Sequence, residues 1–241
     1  MTSAGTIASR PTVPLRPSPV GRAPQPGGWA ARVVIGLFLA AAGVAVTGAS
    51  WLLLVADDHG RRVDNGLMRA VENHFGSAQT QILDVLHLVS VVSVGLALVV
   101  VAGIALVRRR PGAAVAGIAL VLLTQVTTQG LKSVLPREGA SENSLPSGHV
   151  TVITALVVAT LLALPPVLRW VAGVAGLVLV AGASVAVMAV GWHRPGDVLA
   201  AFGVVAAVGG GLLLIDGVRR AVVGTDRPSA GPGPVPTMRR Y

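Results

Sequence analysis

The stretch PSGHVTVITALVVATLLALPPVLRWVAGVAGLVLVAGASVAVMAVGWHRPGD, residues 146–197, decides the architecture. Arg169 is the only Lys, Arg, Asp or Glu between His149 and His193, and it divides that interval into two uncharged runs, 150–168 and 170–192. A bilayer core about 30 Å thick needs about 20 apolar residues in a helix. Each run is therefore read as one crossing. Pro165 and Pro166 turn the chain between them, and a short connection makes neighbouring helices antiparallel. A chain that starts a helix at His149 on one face thus returns to the same face at His193.

The pattern repeats outward. Uncharged runs at 33–56, 85–107, 112–131 and 198–215 bring the expected crossings to six. With 53% apolar and 12% charged residues, the chain has too little polar surface to cover a soluble globule of this size. The expected fold is all-α: an integral membrane bundle of six transmembrane helices over residues 33–218. The flanking segments 1–32 and 219–241 are rich in Arg, Pro and Gly and are expected to be disordered tails. With the N-terminus inside, the inner segments hold 13 of the 19 Lys and Arg, while the outer ones hold 8 of the 10 acids. This bias predicts both termini cytoplasmic. Trp29, Trp51, Trp170 and Trp192 fall at or near run edges, where an indole sits half in lipid and half in the wet interface. The net charge of +9 belongs to these flanks, so no nucleic-acid partner is expected. Cysteine is absent, which excludes disulfides, a thiolate nucleophile and cysteine metal sites. Composition and the lack of an organelle signal point to a multi-pass protein of a bacterial cell membrane.

The ionisable residues that matter gather where three helices end on the outer side. Lys132 and Arg137 follow the third run, Ser147, Gly148 and His149 open the fourth, and His193 and Asp197 lie between the fifth and sixth. Ser favours the N-cap, and a helix's first turn offers free N–H groups that suit a phosphate. His149 can protonate a leaving alkoxide there. A carboxylate such as Asp197 on one ring nitrogen of His193 would fix the tautomer and make the other nitrogen a nucleophile. Taken singly, each feature also fits a helix cap or an interfacial flank; three of them on one face point to a shared site. His59, His74 and His87 are read as interface residues. Leu67, Met68, Val71 and Phe75 share a face that suits either the headgroup layer or packing. Thr124, Gln125, Thr127, Thr128 and Gln129 line a substrate cavity or bond neighbouring helices, with helix packing the favoured role, and Gly209, Gly210 and Gly211 are expected to allow close helix approach. Asn143 and Ser144 bond substrate or brace the loop.

In order and on one side, Lys132 with Arg137, then Pro146, Ser147, Gly148 and His149, then His193 and Asp197, resemble the three signature motifs of the type 2 phosphatidic acid phosphatase family. The resemblance covers residues 33–218, and the middle motif is its most specific part. It implies a six-helix membrane fold and metal-independent hydrolysis of a lipid phosphate or diphosphate, with no cofactor. His193 would become a phosphohistidine, Asp197 would orient it, and His149 would protonate the leaving group. Lys132, Arg137, Ser147 and Gly148 would hold the phosphoryl oxygens. Two departures stand out. Four residues, not six, separate Lys132 from Arg137, and Glu138 follows in place of Pro. The family's Ser-Arg pair ahead of the nucleophile is here Ala186 and Val187. Arg194 is the cation expected to substitute for that arginine. The alternative reading is a non-catalytic lipid-phosphate binder or transporter on the same fold; a soluble haloperoxidase relative is disfavoured by the six runs. The substrate, the choice between phosphate and diphosphate, and the oligomeric state are not set by sequence.

Overall fold

The computed structural model describes residues 28–135 and 145–225. Among them there are eight α-helices and no strand: α1 (Trp29–Trp51), α2 (Asp58–His74), α3 (Gln79–His87), α4 (Val91–Val107), α5 (Pro111–Val134), α6 (Gly148–Ala163), α7 (Pro166–Ala189) and α8 (Pro195–Thr225). A five-residue π-helical turn, Leu52–Ala56, extends α1. The protein is all-α and multi-pass in character. Trp29–Ala56, Pro111–Val134, Pro166–Ala189 and Pro195–Val223 are each long and apolar enough to cross a membrane. A fifth candidate is Gly76–His87 with Val91–Val107, bent by 56° at the break between them. The run expected at 150–168 is the shorter α6, 16 residues long, because Leu164 and Pro165 leave the helical region and Pro166 starts α7.

The short helix is the central one. Seven of its 16 residues are buried, and it packs against α4, α5, α7 and α8. Val152, Ile153 and Ala155 meet Leu120 and Val121 of α5, Ala183 of α7 and Val205 of α8. Polar bonds add to this contact: Thr128 Oγ1 donates to Thr151 Oγ1 at 3.4 Å, while Thr124 turns back to the Leu120 carbonyl at 2.8 Å. Thr124 and Thr128 are thus packing residues, as expected. On the outside, Val91, Val92, Leu96 and Val99 of α4 and Val171, Val174 and Leu177 of α7 are exposed, which suits a lipid solvent.

α1 and α8 lie closest of all. A Cβ on Gly43 would sit 2.3 Å from the Ala207 nitrogen, and one on Gly210 would sit 2.4 Å from that of Ala40. Gly36 and Gly43, and likewise Gly203, Gly210 and Gly217, recur every seven residues on facing stripes, so the backbones touch and gain dispersion where lipid supplies no hydrophobic drive. Of the three consecutive glycines, Gly210 makes this approach; Gly211 faces open space and Gly209 meets only Leu120 Cδ1, at 3.6 Å. At the far end Arg32 and Arg220 both pair with Asp216. These pairs carry α1 and α8 beyond their uncharged runs.

α2 folds back on the end of α1. The Asp57 side chain caps it by accepting from the Gly60 N–H at 2.7 Å, and Gly60 is needed because a Cβ there would lie 1.6 Å from the Leu53 carbonyl oxygen. Met68, Val71 and Phe75 are partly buried, whereas Leu67 and Val63 face outward.

Candidate active site

Two turns, from distant parts of the chain, are sewn together by their backbones. Ser147 N–H donates to the Asp197 carbonyl at 3.0 Å. Ser147 is also the N-cap of α6: its Oγ accepts from the Val150 N–H at 3.4 Å, and its carbonyl accepts from the Thr151 N–H at 3.0 Å. Both Ser147 and Asp197 are fully buried. Gly148 has nothing within 4 Å of where a Cβ would stand, so no neighbouring atom crowds that side of the first turn of α6.

The second turn is shaped by Gly191, whose φ of +71° lies in the left-handed region open to glycine. After it, the N–H groups of Trp192 and His193 both donate to the Val187 carbonyl, at 3.0 and 3.1 Å. Pro195 then opens α8, as proline does at a first helical position. Asp197 sits in that first turn, and its Oδ2 accepts from the Arg194 N–H at 2.9 Å. The same Oδ2 is 3.4 Å from Nδ1 of His193. That contact is too long and misaligned to count as a hydrogen bond, so Nδ1 makes none in this state. Catalytic bonds of this kind often tighten only around substrate.

A cavity of about 660 Å³ lies in front of both turns. Lys132, Gly148, His149 and His193 line its polar end, with Gln125 and Gln129 beside them, and Val94, Leu98, Val121, Leu122 and Val152 form its apolar wall. Lys132 reaches it from the last turn of α5. Trp192 forms part of the lining, its ring centroid 5.4 Å from that of His149 and 6.0 Å from that of His87. Thus Lys132, Gly148, His149 and His193 are brought together, and Ser147 and Asp197 stand behind them. Arg137, Asn143 and Ser144 lie outside the described residues.

Arg194 is elsewhere. Its Nε donates to Asn65 Oδ1 on α2, and it does not line the cavity. Val187, where the family pattern has arginine, is fully buried against Leu86, Val150, Val198 and Ala201. Gln125 and Gln129 line the cavity, the less favoured of the two roles open to them in sequence; their i,i+4 spacing with a third position at Lys132 was the available signal. Sequence reasoning missed α2 and α3 as supports of the site: Gln79 Nε2 donates to the Ala189 carbonyl at 3.0 Å, and Asp64 Oδ1 accepts from the Gly196 N–H at 2.8 Å. No local pattern announced those contacts.

No curated protein and no solved structure matches the chain. The family model of the PAP2 superfamily matches residues 84–220, which is more than half of the chain and takes in both turns, Lys132 and the helices that carry them. With motif order, fold and cavity in agreement with that match, the chain belongs to the PAP2 superfamily.

Proposed function

We propose that this protein hydrolyses a lipid phosphate or diphosphate ester at the extracytoplasmic face of the cell membrane, without a metal, through a phosphohistidine at His193. Membership of the PAP2 superfamily supports a phosphatase-type activity in general. One observation carries the finer reading: His149, His193 and Lys132 meet at the polar end of a single cavity whose other wall is apolar. Val91 and Leu122 line that cavity and are also exposed on the lipid side. An acyl or prenyl chain can therefore enter sideways from the bilayer and keep its methylenes out of water, each contributing about 0.8 kcal/mol.

In the first step, the Nε2 lone pair of His193 forms an N–P bond as the P–O bond to the lipid breaks. His149, as imidazolium, gives its proton to the departing oxygen. Neutral His149 then takes a proton from water, whose oxygen attacks phosphorus. The N–P bond breaks and inorganic phosphate leaves. Asp197 holds the proton of His193 on Nδ1, while Lys132, Arg137 and the N–H groups around Gly148 carry the phosphoryl oxygens; Ser147, expected among them, is fully buried as the cap of α6 and shapes that turn from behind. The membrane arrangement is six crossings with cytoplasmic termini: α1, the bent α3–α4 pair, α5, the short central α6, α7 and α8. The positive-inside charge bias supports it.

The test is phosphate release by the purified full-length protein in chelator, against phosphatidate, phosphatidylglycerol phosphate and polyprenyl mono- and diphosphates. Turnover of at least one is expected. Silence across the panel, with retained binding, would favour a lipid-phosphate binder, a reading for which the apolar Val187 is the best support. Lys132→Gln is expected to lower kcat/KM about 10²- to 10³-fold, the usual loss for one preorganised charge donor. An unchanged value in the same assay would remove Lys132 from the site.

A further inference from the structure

The turn that carries His193 is not held by α7 and α8 alone. α2 packs across it and brings Asp64, Asn65 and Glu72 to it. Asp64 is only 1% exposed. Its Oδ1 accepts from the Gly196 N–H, a contact that is itself buried. Asn65 Oδ1 accepts from Nε of Arg194. The Glu72 carboxylate lies beside Gly191, 3.3 Å from where a Cβ would stand.

The Gly196 N–H is one of the first-turn donors that a helix cannot satisfy from within. Here a carboxylate on another helix satisfies it, and negative charge is favoured at a helix N-terminus. Burying a carboxylate costs free energy, so Asp64 would be a poor choice for mere filling. Residues 194 and 196 are thus both tied to α2, and between His193 and Asp197 only Pro195 has no such tie. The backbone N–H of Arg194 in turn holds Asp197 Oδ2.

We infer that Asp64 and Asn65 are positioning residues for the nucleophile: through Gly196 and Arg194 they hold the 193–197 turn so that Asp197 faces Nδ1 of His193. The inference rests on the phosphohistidine reading above. It also gives Arg194 a role other than phosphate binding, namely to anchor this turn to α2.

The experiment compares wild type, His193→Ala, Asp64→Ala, Asp64→Asn, Asn65→Ala and Asn65→Asp, all full-length in detergent, with kcat, KM and thermal midpoint measured for each. A displacement of the reacting group of about 1 Å can cost about 10²-fold. Asp64→Ala is accordingly expected to lower kcat about 10- to 100-fold with KM unchanged. Asp64→Asn keeps an acceptor for Gly196 and should recover most of that loss. Asn65→Ala should lower kcat in the same direction, with Asn65→Asp rescuing it. If Asp64→Ala does not fold, the half-buried Asn65 pair carries the test. Wild-type kcat in Asp64→Ala and Asn65→Ala, beside an active wild type and a dead His193→Ala, overturns the inference and leaves the activity standing. A rise in KM, or a loss that the conservative variants do not rescue, overturns it as well. An inactive wild type instead removes the phosphohistidine reading.

Discussion

His193→Ala is expected to abolish phosphate release, with turnover falling by at least about 10⁴-fold, since losing a covalent nucleophile removes the low-barrier route altogether. Folding should survive. His193 is 8% exposed and its Nδ1 bonds nothing in this state, so truncation leaves no partner stranded apart from the Asp197 carboxylate, which keeps the Arg194 N–H. His149→Ala should behave differently. It removes proton transfer, worth about 10²- to 10⁴-fold on a lipid alkoxide. On an aryl phosphate, whose leaving group needs no proton, the same variant should lose much less in the first step. Steady-state rates and single-turnover bursts with the two substrate types check both expectations. Equal losses on both substrates in the first step would deny His149 the acid role. Residual lipid turnover in His193→Ala near the wild-type rate would remove the phosphohistidine.

The second large effect concerns the fold. Gly43→Leu is expected to destabilise the protein by more than about 3 kcal/mol, at or beyond the upper end for an overpacked core. The reason is what the new Cβ would meet: the Ala207 nitrogen at 2.3 Å and the Gly203 carbonyl oxygen at 2.4 Å. Both are backbone, so no side chain can swing aside, and α1 must separate from α8. Since α8 begins beside His193, the proposed activity should fall along with stability. Gly48→Ala, on the same helix but with nothing within 4 Å of the new methyl, should be neutral or stabilising by up to about 1 kcal/mol, because glycine weakens a helix interior. Thermal unfolding in detergent and the monodisperse fraction on gel filtration separate the two. A Gly43→Leu protein with the wild-type midpoint would mean that α1 does not lean on α8 as described.

The ends of the helices were less legible than their existence. Arg169 was expected to divide two full crossings, the first over 150–168, yet α6 stops at Ala163 with 16 residues. Hydropathy counts uncharged residues and cannot tell a central helix, shielded on every side by protein, from one that must meet lipid along its length. α6 is the shielded kind. Likewise Arg32, placed in a tail by its charge, is helical and pairs with Asp216 of α8, a pairing 184 residues apart in sequence.

Arg194 makes the same point for the site. From sequence it is a cation next to a nucleophile in a chain that lacks one motif arginine, and the phosphate is the natural partner. Its guanidinium instead meets Asn65, 129 residues away. Trp192 and His87 tell a similar story: nothing local links them to His149, yet Trp192 stands between the other two rings.

What the amino-acid sequence determined on its own is the helical, multi-pass character and the family. Long uncharged runs suit a lipid medium, and Ser147, Gly148 and His149 with His193 and Asp197 carry the family's motifs, because hydropathy and motif are properties of a few adjacent residues. Tertiary structure alone decided which helix is central, where α1 touches α8, and that α2 grips the turn that carries His193. Those depend on backbones closing to contact and on buried polar groups finding partners over a hundred residues away, and no local pattern encodes such pairings.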